Sequence, residues 1–354
     1  MKKLVYLVML VALAAGSVGL GQDAPFAGET IEVIVPYREG GGTDIVARTI
    51  APFLEKYLEG ASVQVVNITG GSGVQGSNEF AVGRDRDGLT LLVSSGSMVF
   101  PYIFGDEAVQ YEFNEYVSLL NAPIGAVVYV SPDTGISDTA GLCDADSLLV
   151  YGGVSAAGLD IVTLTSFELL GLDFFPILGY DGRGAARVAF EQGETTIDNQ
   201  ATSAFRQNVE PLVEEGQAVP LYTLGILQGG EVVRDPEYPD LPSFAEVYET
   251  CAGSPLAGPE LDAYKAVLSA GYAAGKNLWV HADAPSERIA ALQAAAEAIV
   301  TDEEFQATKG EVLGAYELSV NEASLENFSA ASQIPPEAYD YLTNFLSEKY
   351  DLTF

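Results

Sequence analysis

The alternation of strand and helix patterns along the first hundred residues restricts the fold more than any other feature. Apolar runs rich in β-branched residues at 31–36, 62–67 and 89–95 are typical of buried strands. From Asp44 onward, apolar pairs recur every four residues, which is the period of an amphipathic helix. A second helical pattern separates the second and third runs. The resulting βαβαβ order predicts a parallel sheet covered by helices, and hence an α/β protein.

This alternation continues through the rest of the chain. Strand patterns recur as AVVYVS, SLLVYGG, FFPILGY, TTIDN, VPLYTLG and NLWVHA. Helical patterns lie between them, including Leu164–Leu170, Arg183–Gln192 and Ala204–Glu215. A chain of 354 residues exceeds the usual size of one small domain. The length therefore predicts two α/β domains or one large one.

The first 21 residues have the pattern of a secretory signal. Lys2 and Lys3 form a basic start, and an apolar stretch follows from Leu4 to Ala15. This stretch is too short to cross a bilayer, and small residues precede Gln22, where we expect cleavage. We therefore predict a signal peptide at 1–21 and a mature protein in the periplasm.

Acidic side chains greatly outnumber basic ones. Fifty Asp and Glu against 16 Lys and Arg give a formal net charge of −34, and loss of the two lysines of the signal would make it −36. Such a charge repels nucleic acid and anionic lipid, so we expect neither as a partner. Two explanations of the charge remain open: adaptation to high salt, which screens the repulsion, or a cationic partner or ligand.

Residues suited to catalysis are scarce. His281 is the only histidine, and no Gly-x-Ser-x-Gly nucleophile motif occurs. Cys143 and Cys251 are too few for a zinc site; in an oxidising compartment they favour a disulfide, with two free thiols as the alternative. We expect no metal, no cofactor and no enzymatic activity.

Loops rich in glycine and small polar residues follow several predicted strands, where ligands of open α/β sheets bind. These loops are REGGGTD, ITGGSGVQG, SSGS, GGVSAAG, GYDGRG and DNQATS. Glycine lets backbone N–H groups approach a ligand, and a helix start adds free donors and partial positive charge. For the first loop alone, an ordinary turn with Thr43 or Asp44 as helix cap is an equal alternative. Arg38 beside it is a candidate charge partner of a ligand, or else it pairs with an acid such as Glu39.

Six segments together resemble a known family. They are VPYREGGGTDIVAR, VVNITGGSGVQGSNEFA, RDRDGLTLLVSS, GYDGRGAARVAFEQGE, YPDLPSFAEV and NLWVHADAPSERI, and they occur in the family's order over nearly the whole mature chain. The chain resembles the substrate-binding proteins of tripartite tricarboxylate transporters, the Bug family. It departs from the family's pattern at GGVSAAGLD, where hydroxyl groups are fewer. It departs also at Ile68, where arginine is usual, and at Arg38, where an uncharged residue is usual.

The resemblance implies a two-lobed, type II-like periplasmic binding protein fold. Each lobe would be a mainly parallel sheet with flanking helices, and two crossover strands near AVVYVS and VPLYTLG would let the lobes close on a ligand. The implied first lobe is discontinuous, 22–127 and 225–354, and the second lobe is 128–224. By position, the family's binding residues carry over to Tyr37, Gly41, Gly42, Thr43 and Asp44 in the first loop, to Gly153, Val154 and Ser155 in the facing loop, and to Ser94, Ser95, Tyr180, Thr202 and Ser203 around the remaining pocket.

The resemblance also implies a function. A monomeric periplasmic protein would capture a small organic carboxylate, such as a di- or tricarboxylate, and deliver it to a permease made of a small and a large membrane subunit. The alternatives are a periplasmic ligand sensor that presents its closed form to a signalling partner, and an exported hydrolase or lyase.

Overall fold

The computed structural model of the protein describes residues 24–354. The predicted signal peptide at 1–21 lies outside the described residues. Two mixed sheets with helices on both faces confirm the α/β class. The strands are β1 (Thr30–Val35), β2 (Ser62–Asn67), β3 (Thr90–Ser94), β4 (Tyr116–Ala122), β5 (Ala126–Val130), β6 (Leu149–Gly152), β7 (Phe174–Ile177), β8 (Ile197–Ala201), β9 (Val219–Thr223), β10 (Ile226–Gln228), β11 (Glu231–Val233), β12 (Lys276–His281) and β13 (Ser319–Val320).

The helices fill the intervals between these strands. They are α1 (Gly42–Tyr57), α2 (Val74–Val82), α3 (Gly96–Ile103), α4 (Thr139–Cys143), α5 (Asp160–Leu169), α6 (Arg183–Glu191), α7 (Thr202–Asn208), α8 (Glu210–Glu214), α9 (Phe244–Ala252), α10 (Pro259–Leu268), α11 (Ser286–Thr301), α12 (Glu303–Val312), α13 (Asn321–Ala331) and α14 (Pro336–Tyr350). None of the helices within 24–354 is long and apolar enough to cross a membrane.

Each sheet is parallel in one half and antiparallel in the other. The first sheet has the order β13-β4-β12-β3-β1-β2, in which only β1, β2 and β3 pair in parallel. The second sheet has the order β7-β6-β8-β5-β9, in which only β6, β7 and β8 do. The predicted mainly parallel sheets are therefore mixed. The reason is that β4, β5, β9 and β12 lie where the chain passes between the sheets, and β12 and β5 join their sheets in the reverse direction.

Both faces of both sheets are covered by apolar packing. In β5, Val128 and Val130 face one core, whereas Val127 and Tyr129 face the other. This is the alternation expected of a strand, here buried on both sides. The first sheet packs on one face against α1, α11 and α12, and on the other against α2, α3 and α13.

The helices near the carboxyl terminus divide between the two sheets. Side chains of α9, α10 and α14, among them Phe244, Tyr264 and Leu342, share one core with β5, β6 and β9. This packing differs from the predicted placement of all of 225–354 in the first lobe. We propose that these three helices belong to the second lobe, defined as the five-stranded sheet with its helices. The first lobe is then the six-stranded sheet with its helices. Cys143 in α4 and Cys251 in α9 form a disulfide.

Candidate ligand-binding site

A cavity of about 310 Å³ lies between the strand ends of the two sheets. From the first lobe, the β1–α1 loop and the start of α3 line it; from the second lobe, the end of β8 and the start of α6 do. This is the place where open α/β sheets bind ligands. The lining residues are Tyr37, Arg38, Glu39, Gly40, Gly41, Gly42, Thr43, Ser95, Ser97, Val154, Leu159, Gly182, Arg183, Gly184, Ala185, Arg187, Val188, Asn199, Gln200, Ala201, Asn208, Tyr272 and Lys276.

The start of α1 offers free backbone donors to this cavity. Gly41 is the helix cap and contributes no side-chain hydrogen bond. Within the described part of the chain, no hydrogen bond uses the N–H group of Gly41, Gly42 or Thr43. The first N–H groups of a helix lack intrahelical acceptors and carry partial positive charge. The glycine loop therefore presents three donors suited to an anion.

Asp44 holds the glycine loop in place through hydrogen bonds to its carboxylate. Its carboxylate accepts hydrogen bonds from the Gly40 N–H at 2.9 Å, from Arg48 Nε at 3.0 Å and from Asn67 Nδ2 at 3.0 Å. Burial alone would raise the pKa of Asp44, but these hydrogen bonds lower it. Asp44 is buried and does not line the cavity, so it positions the loop instead of capping the helix.

Gly42 lies beside the second lobe. A Cβ atom on Gly42 would stand 3.3 Å from the Cβ of Ala201 and 3.6 Å from the Oγ of Ser203. Ser203 is buried, and its hydroxyl group has no partner among the described residues. Glycine at this position therefore lets the first loop contact the second lobe directly.

The predicted facing loop is already occupied by a side chain of the protein. The N–H groups of Val154 and Ser155 donate to Asp160 Oδ2 at 2.6 and 3.0 Å, and the N–H of Gly153 donates to the carbonyl of Ile177 at 2.9 Å. The carboxylate of Asp160 thus accepts two of the N–H groups that the resemblance assigns to a ligand. Of the three predicted residues, only Val154 lines the cavity.

The start of α6 supplies the second lobe's donors instead. Gly182 precedes the helix with a φ of 101°, a conformation that favours glycine, and Gly182 to Ala185 all line the cavity. No hydrogen bond among residues 24–354 uses the N–H of Arg183 or Gly184. Two helix starts, one from each lobe, therefore line the same cavity.

The guanidinium group of Arg183 is held within the second lobe. It contacts Asp160 at 3.0 Å, the Gly152 carbonyl at 2.7 Å and the carboxylate of Asp198. Burial opposes its charge, but Asp198 and Asp160 outweigh burial and raise the pKa of Arg183. Its charge is thus balanced before any ligand arrives.

Lys276 differs from the other cations of the cavity. It begins β12, follows a turn of π-helix at Ser269–Ala273, and is only 4% exposed. Burial lowers the pKa of its ammonium group to about 7. The sequence analysis missed Lys276, because one lysine ahead of a strand carries no sign that it is buried.

Basic side chains are concentrated around the cavity. Arg38, Arg183, Arg187 and Lys276 line it, whereas Glu39 is the only acidic residue of 24–354 that does. Arg187 pairs with Glu191, and Arg38 pairs with Asp181 across the two lobes. Four of the chain's 16 basic residues thus surround one cavity in a protein of net charge −34.

The predicted binding residues divide into two groups. Tyr37, Gly41, Gly42, Thr43, Ser95, Val154 and Arg38 line the cavity. Tyr180 lies in a neighbouring cavity, Ser94 accepts a hydrogen bond from Trp279 at 2.8 Å, and Thr202 accepts one from Tyr316 at 3.2 Å. Sequence reasoning missed Asn208, Tyr272 and Lys276, whereas Ser97, Gly182, Gly184, Asn199 and Gln200 lie in loops that it named without assigning them individually.

Comparison with known proteins agrees with this architecture. No protein-family model matches the chain. Protein BugT of Bordetella pertussis is 29% identical over 251 residues, which cover 66% of this chain and 72% of BugT. The structure of the periplasmic binding protein BugD superposes with a TM-score of 0.68 at 19% identity, over 90% of this chain and 97% of BugD. The structure of Rpa4515 of R. palustris with adipate has a TM-score of 0.68 at 17% identity, over 90% and 96% of the two chains.

Two α/β lobes with a cavity between their strand ends are the fold of periplasmic binding proteins. The sequence similarity to BugT agrees with the resemblance of the six ordered segments. The chain is similar to members of the Bug family, the substrate-binding proteins of tripartite tricarboxylate transporters.

Proposed function

We propose that this protein captures a small organic carboxylate in the periplasm and delivers it to the membrane subunits of a tripartite tricarboxylate transporter. The observation that carries this proposal is that, within residues 24–354, two helix starts, those of α1 and α6, line one cavity with free backbone N–H groups, together with the unpaired Lys276. The net charge of the whole chain is −34, which repels an approaching anion. An anion is therefore stabilised locally, against the field of the whole molecule.

The size of the cavity supports a small ligand. Its volume of about 310 Å³ lies at the lower end of the range of roughly 300–1,000 Å³ that is usual for ligand pockets. A structural neighbour, Rpa4515, was solved with adipate, a short dicarboxylate. An acid of this size is the ligand class that we propose.

Free backbone donors supply much of the proposed recognition. The N–H groups of Gly41, Gly42 and Thr43 have no acceptor in the described structure, and neither has that of Gly184. Hydrogen bonds to a charged partner contribute roughly 1.5–3 kcal/mol each. Three or four of them are comparable with the cost of association, estimated at about 4–15 kcal/mol. Such a site holds an anion and still releases it.

Capture would couple to closure of the two lobes. The donors at the start of α1 belong to the first lobe and those at the start of α6 to the second. A ligand contacts both sets only when the lobes are closed, so its binding free energy favours the closed form. The closed form is then the one that a permease would recognise.

Export and delivery rest on the relatives and on the predicted signal. BugD is described as a periplasmic binding protein, and residues 1–21 have the pattern of a secretory signal. Co-purification with the small and large membrane subunits, in the presence and absence of ligand, tests delivery separately from capture.

Capture is tested by a thermal-shift screen of the mature protein in high salt against mono-, di- and tricarboxylates. We expect at least one carboxylate to raise the melting temperature, because a ligand that binds only the folded state stabilises it. A hit is then titrated by calorimetry. No shift with any carboxylate, together with stabilisation by a sugar or an organic cation, would overturn the proposal.

A further inference from the structure

Lys276 is the cation of the cavity whose charge no described residue balances. No hydrogen bond or ion pair within residues 24–354 involves its Nζ atom, although the residue is 4% exposed. By contrast, Arg38, Arg183 and Arg187 pair with Asp181, with Asp160 and Asp198, and with Glu191. An unpaired ammonium group in such a place is costly unless a partner of opposite charge arrives.

A second buried lysine shows that burial alone does not explain this arrangement. Lys309 in α12 is also buried, but the acidic side chains of Glu237 and Glu317 favour its charged form and oppose the effect of burial. Lys276 has no such neighbour: only burial shifts its pKa. A counter-charge for the ammonium group of Lys276 would therefore come from a ligand in the cavity.

The other charged and titratable groups around Lys276 do not fill this role. Those that line the same cavity are Arg38, Glu39, Arg183, Arg187 and the phenols of Tyr37 and Tyr272. Burial raises the pKa of Tyr37 to about 12 and that of Tyr272 further, so both stay neutral. Glu39, which lies 3.6 Å from Arg48, is 78% exposed. His281, at the far end of β12, contacts the carbonyl of Phe80 instead.

We propose that Lys276 binds a second carboxylate of the ligand and makes the site selective for dicarboxylates. One carboxylate would accept the N–H groups of the glycine loop, and the other would pair with Nζ of Lys276, which lines the same cavity of about 310 Å³. This inference rests on the proposed function and narrows it from carboxylates in general to short dianions. A monocarboxylate would leave the ammonium group without a partner.

The test compares short dicarboxylates with their monoamides, which have nearly the same shape but one charge less. Calorimetry measures the affinity of the mature protein for succinate, glutarate and adipate and for the three monoamides. We expect the best-bound dicarboxylate to bind at least tenfold more tightly than its monoamide. In Lys276→Met this preference should disappear, with at least a tenfold loss of dicarboxylate affinity. Lys309→Met is the matched control and should keep the preference.

Three outcomes separate this inference from the proposed function. If Lys276→Met keeps the preference for dicarboxylates, or the wild type binds the monoamides as tightly, the role of Lys276 is overturned and carboxylate capture stands. If no carboxylate or monoamide binds the wild type, the proposed function fails as well. If Lys276→Met does not fold, proton uptake of the wild type on binding at pH 8, measured in buffers of different ionisation enthalpy, decides the question: absence of uptake contradicts the proposal.

Discussion

At the scale of single residues, the ionisation of Lys276 links ligand affinity to pH. The empty site lowers its pKa from 10.5 to about 7, and a bound carboxylate would raise the pKa again. Affinity for a dicarboxylate should therefore be highest below pH 7 and fall as the pH rises above it, because a neutral amine no longer pairs with the ligand. Calorimetry at pH 6, 7, 8 and 9 measures this, and an affinity independent of pH over that range would contradict it.

The same ionisation has the opposite effect on the stability of the empty protein. Between pH 7 and 10.5 the unfolded chain holds a proton on Lys276 that the folded empty protein does not, so stability rises with pH in this window. Lys276→Met removes the buried amine and should stabilise the empty protein by about 1–3 kcal/mol near pH 7, since one pKa unit corresponds to about 1.4 kcal/mol. Urea unfolding with and without the substitution measures the difference. A large destabilisation would mean that Lys276 supports the fold.

Gly42 lines the cavity beside the second lobe. A side chain there would meet Ala201 at 3.3 Å and Ser203 at 3.6 Å, so Gly42→Val should keep the lobes apart. We expect at least a tenfold loss of ligand affinity in calorimetry, with an unchanged circular dichroism spectrum. Gly41→Ala is the comparison, since its added methyl group would meet only the Arg38 carbonyl, at 3.6 Å, and should cost less. Equal affinities of Gly42→Val and wild type would remove this loop from the site.

At the scale of elements, the sequence predicts those parts of the fold that depend on local patterns. The segment SVQVVN is a strand as predicted, and the helix predicted from Arg183 begins at that residue. By contrast, β4 was not predicted, and the helix expected over 204–215 divides into α7 and α8 next to Pro211. The packing of α9, α10 and α14 on the second sheet depends on tertiary contacts that no local pattern shows.

The predictions for the site divide in the same way, into local features that the sequence shows and tertiary contacts that it does not. The glycine triplet of the first loop is a local signal, and the structure places it at the cavity. The engagement of Val154 and Ser155 with Asp160 depends on how one loop folds back on the start of α5. The burial of Lys276 depends on the contact between β12, β3 and β4, which lie far apart in sequence. Local sequence patterns do not show such contacts between distant segments.

The disulfide between α4 and α9 closes a loop of 108 residues. Replacement of both cysteines by serine should lower the free energy of unfolding by about 2–5 kcal/mol, because the cross-link restricts the unfolded chain. Ligand affinity should change little, since neither cysteine lines the cavity. Urea unfolding and calorimetry measure the two effects. Rapid alkylation of the native protein without a reductant would show that the bridge is absent.

At the scale of the whole molecule, closure brings two exposed loops together. Arg38 of the first lobe, 63% exposed, pairs with Asp181 of the second. Such a pair contributes about 0.2–1 kcal/mol, so Arg38→Ala should weaken ligand binding by up to about fivefold at low salt and by less at high salt. Asp181→Asn should have the same effect, and the double variant should not add to it. Additive losses in calorimetry would mean that the two side chains act independently.

Because the net charge of the chain is −34, an anionic ligand can be stabilised only by groups close to it in the site. The acidic surface repels an approaching dicarboxylate, whereas the helix starts of α1 and α6 and Lys276 attract it at short range. Salt screens the long-range repulsion more than the short-range contacts.

The most direct measurement is a crystal structure of the mature protein with its best-bound dicarboxylate. We predict one carboxylate within hydrogen-bonding distance of the N–H groups of Gly41, Gly42 and Thr43, and the other in contact with Nζ of Lys276. A ligand bound outside this cavity, or one that leaves both the glycine loop and Lys276 without contacts, would contradict the account.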